Sequence, residues 1–200
     1  MRRTLVIDTA TAACSVALIA GDRVIDHRHD VVGRGHAERL IPMIAALAEG
    51  GRADTILVDC GPGSFTGIRV GIAAARGLGI GWGVPVQGYS STALIAAMAT
   101  ARHGAEAIAV VLEGGHGEVF VQPYDRLIAA GPLASLTPAA ALAMLGGRAA
   151  FGNGVRYLNQ GTELVPDARC ASLLPAAATL LPAAPIYGRA PDAQPMAVRA

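Results

Sequence analysis

The sequence predicts a two-lobed α/β fold, each lobe a mixed β-sheet covered by helices. Three observations predict it. Short apolar runs bounded by turn signals alternate with segments of helical period. The first half runs strand, strand, strand, helix, strand, helix, strand, the order of a ribonuclease-H-like domain. The second half opens the same way, with an apolar run ending in a carboxylate at Glu113 as the first run does at Asp8. Such a repeat suggests the actin and sugar-kinase class, here with an abbreviated second lobe. The division falls at 102/103, leaving 1–102 as the first lobe and 103–200 as the second.

Thr4–Asp8 reads as a buried strand and Ser15–Ala20 as a second, joined through the turn signal Gly21-Asp22 to a more polar edge strand over Arg23–Asp30. Leu40, Met43, Ile44 and Leu47 recur at i, i+3, i+4, i+7 and mark one face of a helix, with Pro42 early in it. Thr55–Cys60 is the next strand. Gly61–Gly67 is a tight loop offering Ser64 or Thr66 as an N-cap, and a second helix runs from Ile68 to about Gly81. Gly77–Ala101 carries no charge, yet Pro85, Gln87, Tyr89, Ser90 and Ser91 divide it into a helix end, a short strand and another helix. That pattern is not a membrane span. Beyond the 107–113 strand come Glu118–Gln122, Arg126–Ala130, a helix over Pro138–Leu145, a short strand at Ala149–Gly152 and a loop-like tail from Pro182.

Composition closes off several kinds of chemistry. In 200 residues all 16 basic side chains are arginine. A phosphate loop built on lysine and a Schiff-base lysine are both excluded. Net charge is +1, far from the field of a dedicated nucleic-acid binder. Three widely spaced cysteines, Cys14, Cys60 and Cys170, form neither a disulfide framework nor a zinc site, and suit a reducing cytoplasm. No HxxxH or HExxH pair exists among the five histidines. Ser64 has no His–Asp support in sequence and its loop is not a GxSxG elbow.

Two constellations remain. Asp8, Glu38 and Asp59 stand at strand ends and a helix start. In a ribonuclease-H-like lobe they could converge on two divalent metals, as in a nuclease or phosphotransferase. They could equally be a loop partner, a solvated side chain and a strand cap. Gly67, Gly71, Ala75 and Gly79 recur every four residues along the second helix. Glycine costs a helix about 1 kcal/mol each relative to alanine, so close approach by a neighbour must offset it. Spacing leaves open whether that neighbour is the protein's own sheet or another chain.

Four strings carry a resemblance: Ile7–Leu18, Gly33–Ile44, Gly61–Gly71 and Ala74–Leu78. Weaker echoes lie at Gly117–Phe120, Gly152–Gly154 and Tyr187–Ala193. Together they resemble the bacterial TsaB (YeaZ) family. The resemblance implies an actin-like ATPase fold without catalysis of its own. It implies a helper role in making N6-threonylcarbamoyladenosine beside the anticodon of tRNA, and a cytoplasmic location. The implied partners are the paralogue TsaD, in a heterodimer, and the ATPase TsaE, with a homodimer open to the isolated chain and tRNA met through the complex. ATP and a divalent metal would sit on the partners, with no cofactor here. Pairing would run through the first two helices, at His36, Arg39, Leu40, Met43, Ile44, Gly67, Arg69, Val70, Gly71, Ala74 and Ala75, which turns the glycine stripe towards another chain. Asp8, Thr9, Gly61, Gly63 and Ser64 would line a vestigial nucleotide cleft. A glycoprotease-like hydrolase would need a nucleophile or metal that the sequence does not offer.

Overall fold

The computed structural model describes residues 1–189, so the end of the Tyr187–Ala193 string lies outside the described residues. Strands β1 (Arg3–Asp8), β2 (Ala13–Ala20), β3 (Arg23–Val31), β4 (Thr55–Asp59) and β5 (Val86–Tyr89) form one sheet in the order β3-β2-β1-β4-β5. The first three are antiparallel; β4 and β5 run parallel to β1. Both faces are covered, which is why β1, β2 and β4 read as continuous apolar runs rather than alternating ones. On one face Leu5, Ile7, Val16, Leu18, Ile56 and Val58 pack under α1 (His36–Ala45) and α2 (Phe65–Trp82). On the other, Val6, Ala17 and Leu57 meet α3 (Ser91–His103) and the 3-10 turn at 168–173.

The second sheet holds β6 (Ala107–Gly115), β7 (Glu118–Asp125), β8 (Ile128–Ala129) and β10 (Ala149–Phe151) in the order β10-β6-β7-β8, with β9 (Ala134–Leu136) also on β7. Reversed, that order matches β3-β2-β1-β4 strand for strand, including the parallel pair, so the duplication is real. A counterpart of β5 is absent among the described residues, which is the abbreviation. Helix α4 (Pro138–Leu145) covers this sheet. Thr137 caps it through its side chain, proline stands at its start and Gly146 ends it in the left-handed region.

The boundary at 102/103 falls in the last turn of α3, which packs on both sheets. Residues 168–174 return to β1, β2 and α3. Leu181 then exchanges two backbone hydrogen bonds with Gly88 on β5, at 2.7 and 3.1 Å. The segment assigned by sequence to the second lobe therefore leads back to the first. No helix among the described residues is long and apolar enough to cross a membrane.

Candidate functional site

The parallel register Ile7↔Val58 brings the next residues, Asp8 and Asp59, side by side at the carboxyl ends of β1 and β4. Tyr89 ends β5 beside Asp59. All three are fully buried. Tyr89 donates its hydroxyl proton to Asp8 Oδ2 at 2.8 Å. Ser91 Oγ and the Gly61 N–H both donate to Asp59. Burial pushes the Asp8 carboxyl up to about 6, against the pull of the Tyr89 hydrogen bond. Asp59 is pushed well above the usual carboxylate range, by burial first and by the Asp8 charge second. Burial thus favours the protonated form of both carboxyls, most strongly that of Asp59.

That arrangement corrects the three-carboxylate reading. Glu38 is exposed on the first turn of α1 and takes no part in the pair. Among the described residues no group of three or more His, Cys, Asp or Glu side chains could hold a metal ion. Both carboxyls of the pair are sealed from solvent, whereas a ribonuclease-H-like nuclease needs them open to cations and substrate. A cleft of about 750 Å³ does open between the lobes, lined by Ala10, Gly63, Ser64 and Phe65 on one side and Glu113 and Gly114 on the other. Of the expected cleft residues, Gly63 and Ser64 line it. Asp8, Thr9 and Gly61 lie sealed behind it.

The glycine loop is shaped by backbone contact within the chain. A Cβ on Gly63 would stand 2.0 Å from the Ala10 carbonyl oxygen, and one on Gly67 2.0 Å from that of Thr9. Thr9 Oγ1 donates to the Gly67 carbonyl at 2.8 Å. Ser64 is the cap of α2, accepting from the Gly67 N–H, so the helix begins at Phe65, three residues earlier than its periodicity suggests.

The same geometry overturns the intermolecular reading of the stripe. A Cβ on Gly71 would stand 2.4 Å from Thr9 Oγ1, and one on Gly79 2.4 Å from Val86 Cγ2. Ala75 is fully buried in the core under α1 and α2. Gly67, Gly71, Ala75 and Gly79 therefore bring α2 close to the protein's own sheet. Leu40, Met43 and Ile44 are core residues as well. His36 is buried with Nε2 at 2.9 Å from the Thr11 carbonyl; both groups facing it are acceptors, so Nε2 carries the proton. Val70 and Ala74 are half-buried beside α1, and Arg39 pairs with Asp30.

What α1 and α2 turn outward is a different set: Ala37, Ile41, Pro42 and Ala45 on α1, and Ala73, Gly77, Ile80 and Gly81 on α2. Ile41 is 50% exposed and Ile80 85%; added Cβ atoms on Gly77 or Gly81 would meet nothing within 4 Å. Sequence reasoning missed this second small-residue row, Ala73-Gly77-Gly81, although it has the same four-residue spacing. It also passed over Tyr89 and Ser91, whose partners are distant in sequence.

Two lobes of matching strand order, each a mixed sheet covered by helices, define a protein of the actin-like α/β class. A family model described as "TsaD: tRNA N6-adenosine threonylcarbamoyltransferase" matches residues 29–150. The chain is 37% identical over 131 residues to the tRNA threonylcarbamoyladenosine biosynthesis protein TsaB of Escherichia coli K12, covering 62% of this chain and 55% of that protein. An uncharacterised Mycobacterium bovis protein is 34% identical over 213 residues, covering 97% and 95%. The solved structure of YeaZ from Pseudomonas aeruginosa aligns with a TM-score of 0.77 at 31% identity, over 94% of this chain and all of that one. The chain belongs to the TsaB/YeaZ family, within the wider group described by the TsaD model. It spans about half the length of the curated TsaB proteins of E. coli and Haemophilus influenzae that it matches.

Proposed function

We propose that this chain takes part in threonylcarbamoyladenosine biosynthesis on tRNA as a non-catalytic subunit. It docks a TsaD-type enzyme through the outward faces of α1 and α2. The observation that carries the reading is the unpartnered apolar patch of Ala37, Ile41, Ala45, Ala73, Gly77 and Ile80 on adjacent helices. Apolar side chains grouped this way on a surface fit a protein interface. The open Gly77 and Gly81 let a partner helix come close to the α2 backbone. The non-catalytic part is supported by the buried Asp8–Asp59 pair, which is closed to substrate. The isolated chain would present the same patch to a second copy.

Co-purification with a TsaD-type partner tests the reading. Ile41→Glu and Gly77→Leu should each lower affinity at least about tenfold without lowering the melting temperature below that of the parent. Parent-like association by both variants would remove the patch from the interface.

A further inference from the structure

The rim of the interlobe cleft carries an aromatic and cationic cluster that nothing in the partner-docking role requires. Phe65 and Tyr187 stack with ring centroids 5.4 Å apart at a 30° tilt. The Arg69 guanidinium lies 3.4 Å over the Phe65 ring and donates to the Tyr187 hydroxyl from Nε at 3.2 Å and from Nη2 at 3.1 Å. Even so, Phe65 remains 51% and Tyr187 42% exposed. Buried aromatic stacks stabilise a core; an exposed one, held in place by an arginine, presents a flat π surface to solvent.

The charges around it are unbalanced. Phe65 and Tyr187 line the cleft together with Ser64, Asn153, Arg34, Arg189 and Glu113. Glu113 is already engaged by Arg156 and the Tyr157 hydroxyl, and Arg189 lies 3.8 Å from Glu118. Arg34, on the loop between β3 and α1, has no side-chain partner among the described residues. Arg69 and Arg76 bind only a phenol, rings and the Ala183 carbonyl, with no carboxylate. Two arginines without carboxylate partners, Arg34 and Arg69, thus flank an exposed ring pair at the mouth of a cleft of about 750 Å³.

From this juxtaposition we infer that the cleft rim binds an unpaired nucleotide of single-stranded RNA, its base stacked on Tyr187 beside Phe65 and its phosphate on Arg34. A flat ring pair accepts any base face, and arginine reads phosphate with a planar fork of donors. Paired bases cannot offer their faces, so the site selects single strands and loops over duplex. With a net charge of +1 the attraction is local, and affinity comes from the stack and a few phosphates, not from a long-range field. The inference deepens the tRNA-modification reading and rests on it for the choice of RNA. This chain would hold part of the substrate loop itself, within the complex.

The test titrates the full chain, at low ionic strength, with a fluorescent single-stranded oligoribonucleotide and with the same sequence annealed to its complement. The expected result is saturable binding of the single strand and none of the duplex. Tyr187→Ala and Arg34→Glu should each weaken it about tenfold, while Tyr187→Phe, which keeps the ring and loses the hydroxyl, binds like the parent. Parent-like melting of each variant excludes unfolding as the cause. Equal affinity for duplex, an unchanged Tyr187→Ala, or complete displacement by equimolar AMP would overturn the inference; the last would assign the rim to a free nucleotide. Co-purification of the same variants with the TsaD-type partner separates the two readings. Lost RNA binding with intact association is expected, whereas no RNA binding by the parent with intact association sinks the RNA site alone.

Discussion

The two sides of α2 look alike in sequence and opposite in space. Each carries small residues every fourth position: Gly67-Gly71-Ala75-Gly79 on one side, Ala73-Gly77-Gly81 on the other. On the first, a Cβ at three of the four positions would meet another atom of this chain at 2.0 to 2.4 Å. On the second, the two glycines face open space. Small residues permit close approach, but they do not say by whom. The inner row brings α2 down onto β1 and β4; the outer row is free for another molecule.

Four experiments sharpen that contrast, taken from the largest expected effect. Gly71→Ala sets a methyl against Thr9 Oγ1, and Thr9 is held by its own hydrogen bond to Gly67, so neither can yield. A loss of about 3 kcal/mol or more is expected in urea unfolding. A loss below 1 kcal/mol, roughly the size of ordinary surface scatter, would mean that the inner face is slack.

The second concerns the carboxyl pair on the same inner side. Asp8 titrates near 6 when folded against an ordinary 3.8, so between these values the folded protein binds more protons than the unfolded chain. Its contribution is therefore full below about pH 4 and is lost as pH rises through 6, by up to about 3 kcal/mol. Stability curves of the parent and Asp8→Asn should converge at low pH and separate across this window, the parent falling relative to the variant. Parallel curves would refute the raised titration of Asp8.

The third removes the Tyr89 hydroxyl. Tyr89→Phe leaves ionised Asp8 without its buried donor, costing about 1 to 2 kcal/mol at neutral pH and moving the Asp8 transition to higher pH. The fourth and smallest is Gly77→Ala on the outer row. It should raise stability by about 1 kcal/mol through helix propensity alone, opposite in sign to Gly71→Ala. A destabilisation measured by thermal melting would show that something in this chain already occupies the outer face.

Much of the fold was legible because local signals agreed with the final structure. Thr137, Pro138 and Gly146 bracket α4 at both ends, and its range was read without error. The succession of strands and helices along most of the chain followed from turn signals and the lengths of apolar runs. β9 was missed: three half-buried residues carry no period to detect. The return of residues 168–187 to the first lobe was missed because it depends on contacts across the whole chain, such as Ser15 Oγ accepting from the Ala168 N–H. The carboxylates of the candidate site were visible as strand ends, but their closure was not. It needs Tyr89, Ser91 and Gly61 from other elements, and register, not spacing, brings these together. Likewise, i+4 spacing showed that Gly67 and Gly71 share a face without showing where β1 would lie.

Helix α3 has a consequence of its own. Leu94, Ala97 and Met98 belong to the core of the first sheet, while Ile95, Ala96 and Ala99 belong to that of the second. One rod of thirteen residues is thus a party wall between two rooms. Neither lobe can melt without stripping one side of that wall, so heat should dissolve both together in a single step, and any opening of one lobe against the other would have to bend a helix plastered on both sides.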